Sequence, residues 1–151
     1  MTRVFLDANV IFAASDSTRG AARVLVRLSK QAEDITLLAT AYTIDEAQRN
    51  IQRDQPTAIT GFYEVRGHLS VSLEPSEALV ASLNSYLPTG IRLPSKDLPV
   101  LGGAIVAGAD WLLTHDEDHF GPLYGKTVQG VEIVKPGTAL RRLRRLPRGG
   151  H

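Results

Sequence analysis

Short apolar segments that stop abruptly, each followed by a helix-length segment, leave this chain few folds to adopt. Arg3–Leu6, Ile35–Ala39, Trp111–Thr114 and Val131–Val134 are brief runs rich in apolar and β-prone residues, the composition of strands buried on both faces. Between them lie segments with helical spacing, such as Ala22, Leu25, Val26 and Ser29 within residues 21–30. Parallel strands need a crossover, and a helix is the usual one. The expected architecture is therefore α/β: a central parallel sheet with helices on both faces.

Other elements follow from local signals. Residues 8–14 begin a helix that breaks around Ser15–Thr18, and Thr43 is read as the N-cap of a helix reaching Asp54, with Glu46 three residues on completing a capping box. Pro56 opens a helical segment to Arg66, and Leu69–Leu73 alternates like a strand. Pro75-Ser76-Glu77 starts a helix ending near Pro88, and residues 88–95 carry turn chemistry expected to cross the surface. A Gly- and Ala-rich helix runs from Asp97 to Ala109, and a last helix from Gly137 carries Leu140, Leu143 and Leu146 on one side. One domain is expected over residues 1–146, followed by a flexible tail at 147–151.

With 151 residues the chain can bury a sizeable core, and the absence of cysteine excludes disulfides and thiolate metal sites. No apolar run approaches the length of about 18 residues that a membrane span needs, and no signal-peptide core follows Met1, so a cytoplasmic protein away from membranes is expected. Charge is unevenly placed. All 16 acids precede residue 141 with 12 of the 17 Lys and Arg, a body of −4, whereas residues 141–151 hold five arginines and no acid. Such a body suits cations better than it suits a broad nucleic-acid face. The arginine tail is read as an amphipathic covering helix rather than as a grip on phosphates.

Ligands of parallel sheets bind at the carboxyl ends of strands. Asp7 and Asp116 fall at such ends, Glu46 lies on the helix after the second strand, and Asp97 begins the helix feeding the Trp111 strand. Each acid alone has a local reading: Asp7 and Asp97 as helix caps, Glu46 as a capping-box partner, Asp116 as a turn residue. Together they converge if the first strand and the Trp111 strand are neighbours. Uncompensated, four such carboxylates would repel one another and rise in pKa. All-oxygen ligation points to Mg2+ or Mn2+, which can activate water and stabilise charge on a phosphoryl group. His115 and His119 flank the last acids, but are read as turn or substrate-contact positions ahead of metal ligands. His68 carries no signal, and Trp111 is read as core.

These residues resemble the PIN-domain family of metal-dependent nucleases over residues 1–140. Val4-Phe5-Leu6-Asp7-Ala8-Asn9-Val10 looks like the family's first motif, and Thr43-Ile44-Asp45-Glu46 with Asn50 is similar to its second. The run from Lys96-Asp97 to Thr114-His115-Asp116, with Phe120-Gly121 beyond, looks like the third and fourth. His115 stands where the family carries a small residue. The resemblance implies that Asp7, Glu46, Asp97 and Asp116 are the catalytic metal-binding acids, and that Asn9 and Thr114 support them by hydrogen bonds. It offers Asp118 for a second metal and gives Asp45 and Asp110 no catalytic position. It also implies a Mg2+- or Mn2+-dependent endoribonuclease leaving a 5′-phosphate and a 3′-hydroxyl, of the VapBC toxin type, with an antitoxin partner and a homodimer. The alternatives are a non-catalytic binding module of the same fold and a DNA-directed nuclease of the same mechanism.

Overall fold

The computed structural model describes residues 1–17 and 20–145. Six strands form one sheet: β1 (Thr2–Leu6), β2 (Ile35–Thr40), β3 (Ser70–Ser72), β4 (Trp111–Leu113), β5 (Thr127–Val128) and β6 (Val131–Val134). Their spatial order is β3-β2-β1-β4-β6-β5. The helices are α1 (Ala8–Asp16), α2 (Ala21–Gln31), α3 (Ala41–Asp54), α4 (Ile59–Arg66), α5 (Glu77–Ser82), α6 (Leu98–Val106) and α7 (Pro136–Arg145). The expectations for Leu146 and for residues 147–151 fall outside the described residues.

Strand polarity explains why both faces are covered. Along β1, successive side chains point to opposite sides. Val4 and Leu6 join Leu37, Ala39 and Leu113 in a core roofed by α1–α4 and α7. Phe5 joins Leu38, Leu112 and Ile133 in a second core under α6, with Phe120 and Leu123. Two glycines permit the closest approaches. A Cβ on Gly103 would stand 2.9 Å from Thr40 Cγ2 and 3.1 Å from Phe5 Cζ, so its absence lets α6 lie against the sheet. A Cβ on Gly61 would stand 2.2 Å from the Ser15 carbonyl oxygen, where α4 crosses α1.

The structure corrects the sequence reading in four places. The sheet is not wholly parallel: β5 pairs antiparallel with β6 through a Gln129-Gly130 turn with φ of 48° and 87°, the left-handed pair of a type I′ hairpin. The cap of α3 is Thr40, whose hydroxyl accepts from the Thr43 N–H while Thr43 Oγ1 accepts from the Thr40 N–H. Thr43 is thus the capping-box partner, not the cap, and Glu46 is free of that task. Helix α5 stops at Ser82 and a 3-10 turn covers Leu83–Tyr86. Finally, residues 88–95 do not merely cross the surface: Leu93 is buried and its backbone is held by the Asn84 amide, with Leu93 N–H donating at 2.9 Å.

Helix α7 follows its expected pattern. Ala139, Leu140 and Leu143 are buried, and Arg142 pairs with Glu132 through two contacts at 3.0 and 2.8 Å with its guanidinium 5.5 Å from the Trp111 ring centre. Among the described residues no helix is long and apolar enough to cross a membrane.

Candidate active site

The order in which strands are added reverses at β1, although its neighbours on both sides run parallel to it. From β1 the chain builds outward through β2 to β3, then returns to lay β4 on the other side of β1. A crevice opens at the carboxyl ends on either side of such a switch point. Asp7 follows β1 and Thr114 follows β4, and the adjacency Leu6↔Leu113 brings them together.

Asp7 is 5% exposed and accepts three hydrogen bonds: from Ala8 N–H at 2.7 Å, the Thr114 hydroxyl at 2.9 Å and the Asn9 amide at 3.3 Å. The Ala8 bond is the helix-cap role expected of Asp7 taken alone. Asn9 closes the frame. Its amide nitrogen lies 3.3 Å from Thr114 Oγ1, and its carbonyl accepts from His115 N–H at 2.9 Å. Thr114 Oγ1 in turn accepts from Asp116 N–H at 3.1 Å. One network therefore ties the ends of β1 and β4 and sets the direction of two acids.

Asp97 precedes α6 but makes no side-chain cap bond there. It is 8% exposed, and its Oδ2 lies 3.0 Å from His119 Nδ1. Asp116 Oδ1 accepts from the His119 N–H at 3.0 Å, while its Oδ2 also stands 3.0 Å from His119 Nδ1. These close approaches do not all have hydrogen-bond geometry. Among the described residues, Asp97 Oδ2 and His119 Nδ1 are the only buried side-chain polar atoms without a hydrogen-bond partner. The ligand atoms of Asp97, Asp116 and His119 lie within 4.8 Å of one another, a group able to hold a metal ion.

Electrostatics link the remaining acids. Burial, reinforced by the charges of Glu46 and Asp97, pushes the Asp7 carboxyl from 3.8 up to about 6 against the pull of its hydrogen bonds. Burial and then the Asp116 charge raise Asp97, opposed by His119 and Lys96. Burial, Glu46 and Asp97 raise the Tyr42 phenol, whose hydroxyl donates to the Lys96 carbonyl at 2.8 Å. Tyr124, which donates to the Thr114 carbonyl at 2.9 Å, is pushed up to about 12 by burial and then by Glu117, Asp116 and Asp7. Glu46 thus lies within electrostatic reach of Asp7, half-buried on α3, though outside the compact trio. Asp118 is exposed, and the Asn50 amide carbonyl accepts from Arg53 instead of joining the site. Asp110 accepts from Arg3 N–H, consistent with a structural position.

His119, read from sequence as a turn or substrate-contact position, joins the two acids in space. Its signal was its place three residues after Asp116, where a turn closed by Phe120 N–H to the Asp116 carbonyl at 3.0 Å folds the imidazole back. His115 is exposed and contributes its backbone N–H.

In the metal-free protein the raised Asp7 carboxyl makes stability depend on pH. Asp7 binds its proton more tightly folded than unfolded, so its contribution to stability is greatest below pH 4 and declines as pH rises to about 6. About two units correspond to at most ~3 kcal/mol. In EDTA, the melting temperature of wild type relative to Asp7→Asn is therefore expected to fall by several degrees between pH 4.5 and 7. A constant difference over that range would show that Asp7 is not held against a raised pKa.

Comparison with known proteins bears on the fold. No protein-family profile matches the chain, and no curated protein matches it in sequence. Solved structures do. VapBC2 from Rickettsia felis, bound to a DNA fragment from its promoter, is similar with a TM-score of 0.65 at 15% identity, covering 89% of this chain and 98% of that one. PAE2754 from Pyrobaculum aerophilum gives 0.64 at 20% identity, over 96% of this chain and 91% of that one. VapC20 from Mycobacterium tuberculosis, a toxin that cleaves the sarcin-ricin loop, gives 0.54 at 14% identity, over 83% and 98%. The PIN-like α/β fold expected from the motifs is therefore the fold of this chain.

Proposed function

We propose that this protein is a divalent-metal-dependent endoribonuclease. The observation that carries the reading is the convergence of Asp97, Asp116 and His119 beside Asp7, at the switch point of the sheet. Asp97 Oδ2 and His119 Nδ1, buried and 3.0 Å apart but misaligned for a hydrogen bond, fit a cation better than they fit a closed polar core. Asp97 and Asp116 would hold Mg2+ or Mn2+, with Asp7 and Glu46 adding negative charge around it and Asp118 at the exposed rim. Such an ion, when bound, lowers the pKa of water and stabilises charge on a phosphoryl group.

The chain's own residues prepare that chemistry. Thr114 donates to Asp7 and accepts from Asp116 N–H, so one hydroxyl orients both acids. Asn9 fixes the following backbone through His115 N–H. Burial of Asp7 and Asp97 keeps the acids poorly hydrated, which strengthens their pull on a cation. Supporting analogies come from the similar structures, among them a cleaving toxin and a complex held on promoter DNA. On that basis the partner would be a small antitoxin that blocks the crevice.

The direct test is digestion of single-stranded RNA and DNA, side by side, by protein purified free of other chains. RNA cleavage with Mn2+ or Mg2+, stopped by EDTA, is the expected result. Cleavage of DNA alone would replace the substrate, and cleavage of neither would favour a binding module.

A further inference from the structure

We propose that His119 is itself a metal ligand through Nδ1, and that its nitrogen makes this centre select Mn2+-class transition ions over Mg2+. The inference rests on the reading above that a divalent ion occupies this centre, and it assigns the ion's class and a ligand that the acid motifs omit. Nδ1 stands 3.0 Å from Asp97 Oδ2 and 3.0 Å from Asp116 Oδ2. Adjacent ligands of an octahedral ion with bonds of about 2.0–2.2 Å stand roughly 3 Å apart. Nδ1 therefore already stands at neighbouring-ligand spacing from each carboxylate, and the ligand atoms of all three residues lie within 4.8 Å of one another.

Local structure explains why they hold it. The His119 N–H occupies Asp116 Oδ1 at 3.0 Å, which leaves Oδ2 of that carboxylate directed at the imidazole. Asp97, 8% exposed, presents an Oδ2 with no hydrogen bond. Nδ1 lies 3.0 Å from both carboxylate oxygens in ion-pair contacts that fall short of hydrogen-bond alignment. An imidazole whose Nδ1 lies beside two carboxylate oxygens is placed to offer that nitrogen to a cation they share. Imidazole is a good ligand for transition ions, whereas Mg2+ prefers oxygen and gives up water reluctantly.

The experiment is calorimetric titration of the full chain with Mn2+ and with Mg2+, joined to pulsed EPR of the Mn2+-loaded protein. Wild type is expected to bind Mn2+ more tightly than Mg2+ and to show the coupling of one directly bound imidazole nitrogen. His119→Ala is expected to lose that coupling and at least about tenfold in Mn2+ affinity, with Mg2+ affinity much less changed, while His115→Ala keeps both. Mn2+ bound without nitrogen coupling, or an unchanged Mn2+-to-Mg2+ ratio in His119→Ala, would overturn the assignment even if RNA is cut. Binding of neither ion would overturn it together with the metal-dependent reading.

Discussion

Asp97→Asn is expected to lower metal-dependent RNA cleavage by at least about a hundredfold while leaving the protein folded. The substitution keeps shape and removes charge. Asp97 Oδ2 contacts His119 Nδ1, which also contacts Asp116 Oδ2, rather than a helix cap or a salt bridge with Lys or Arg. Its ionised form is already disfavoured by burial and by the Asp116 charge. Neutralising it therefore relieves repulsion in the metal-free protein and costs little stability, while it removes a hard oxygen ligand from the centre. The measurements are cleavage of a labelled RNA in Mn2+ and thermal melting in EDTA. Full activity in a well-folded variant would take Asp97 out of the mechanism.

The largest stability effect is expected at a residue far from any chemistry. Gly61→Ala places a Cβ 2.2 Å from the Ser15 carbonyl oxygen and 3.1 Å from its carbon. Both neighbours are backbone, so no side chain can rotate away. Either α4 or α1 must move, and both are packed on Phe62, Val65, Ile11 and Ala14 within the first core. We expect a loss of roughly 3 kcal/mol or more and a melting temperature lower by about 10 °C. Gly67→Ala is the control, because its Cβ would meet nothing nearer than 3.5 Å. Equal melting temperatures for the two variants would refute the close helix crossing. Because Asp7 caps α1, a displaced α1 is also expected to disturb the site.

Much of the architecture was legible in short-range pattern. Buried strands announced themselves through runs such as Val4-Phe5-Leu6, because a strand covered on both faces has no polar side to show. The acids at strand ends were legible for the same reason: a charge that terminates an apolar run must lie where the sheet stops. Strand β5 was not legible, since two residues and a Gln129-Gly130 turn carry too little pattern to register. The cap of α3 was misread by three residues because Thr40 and Thr43 have the same side chain, and only the path of β2 decides which ends the strand.

Composition and spacing by themselves determined the alternation of strands and helices, the two-faced burial of the sheet and the placing of acids at strand ends, because each depends on side chains close in sequence. Tertiary structure alone decided that β4 lies beside β1, that Thr114 from one joins Asp7 from the other, and that His119 turns Nδ1 toward Asp97 and Asp116. Those contacts span 107 residues between Thr114 and Asp7. They are set by which strand order buries both faces at once, a property of the whole packed chain that no local run of residues contains.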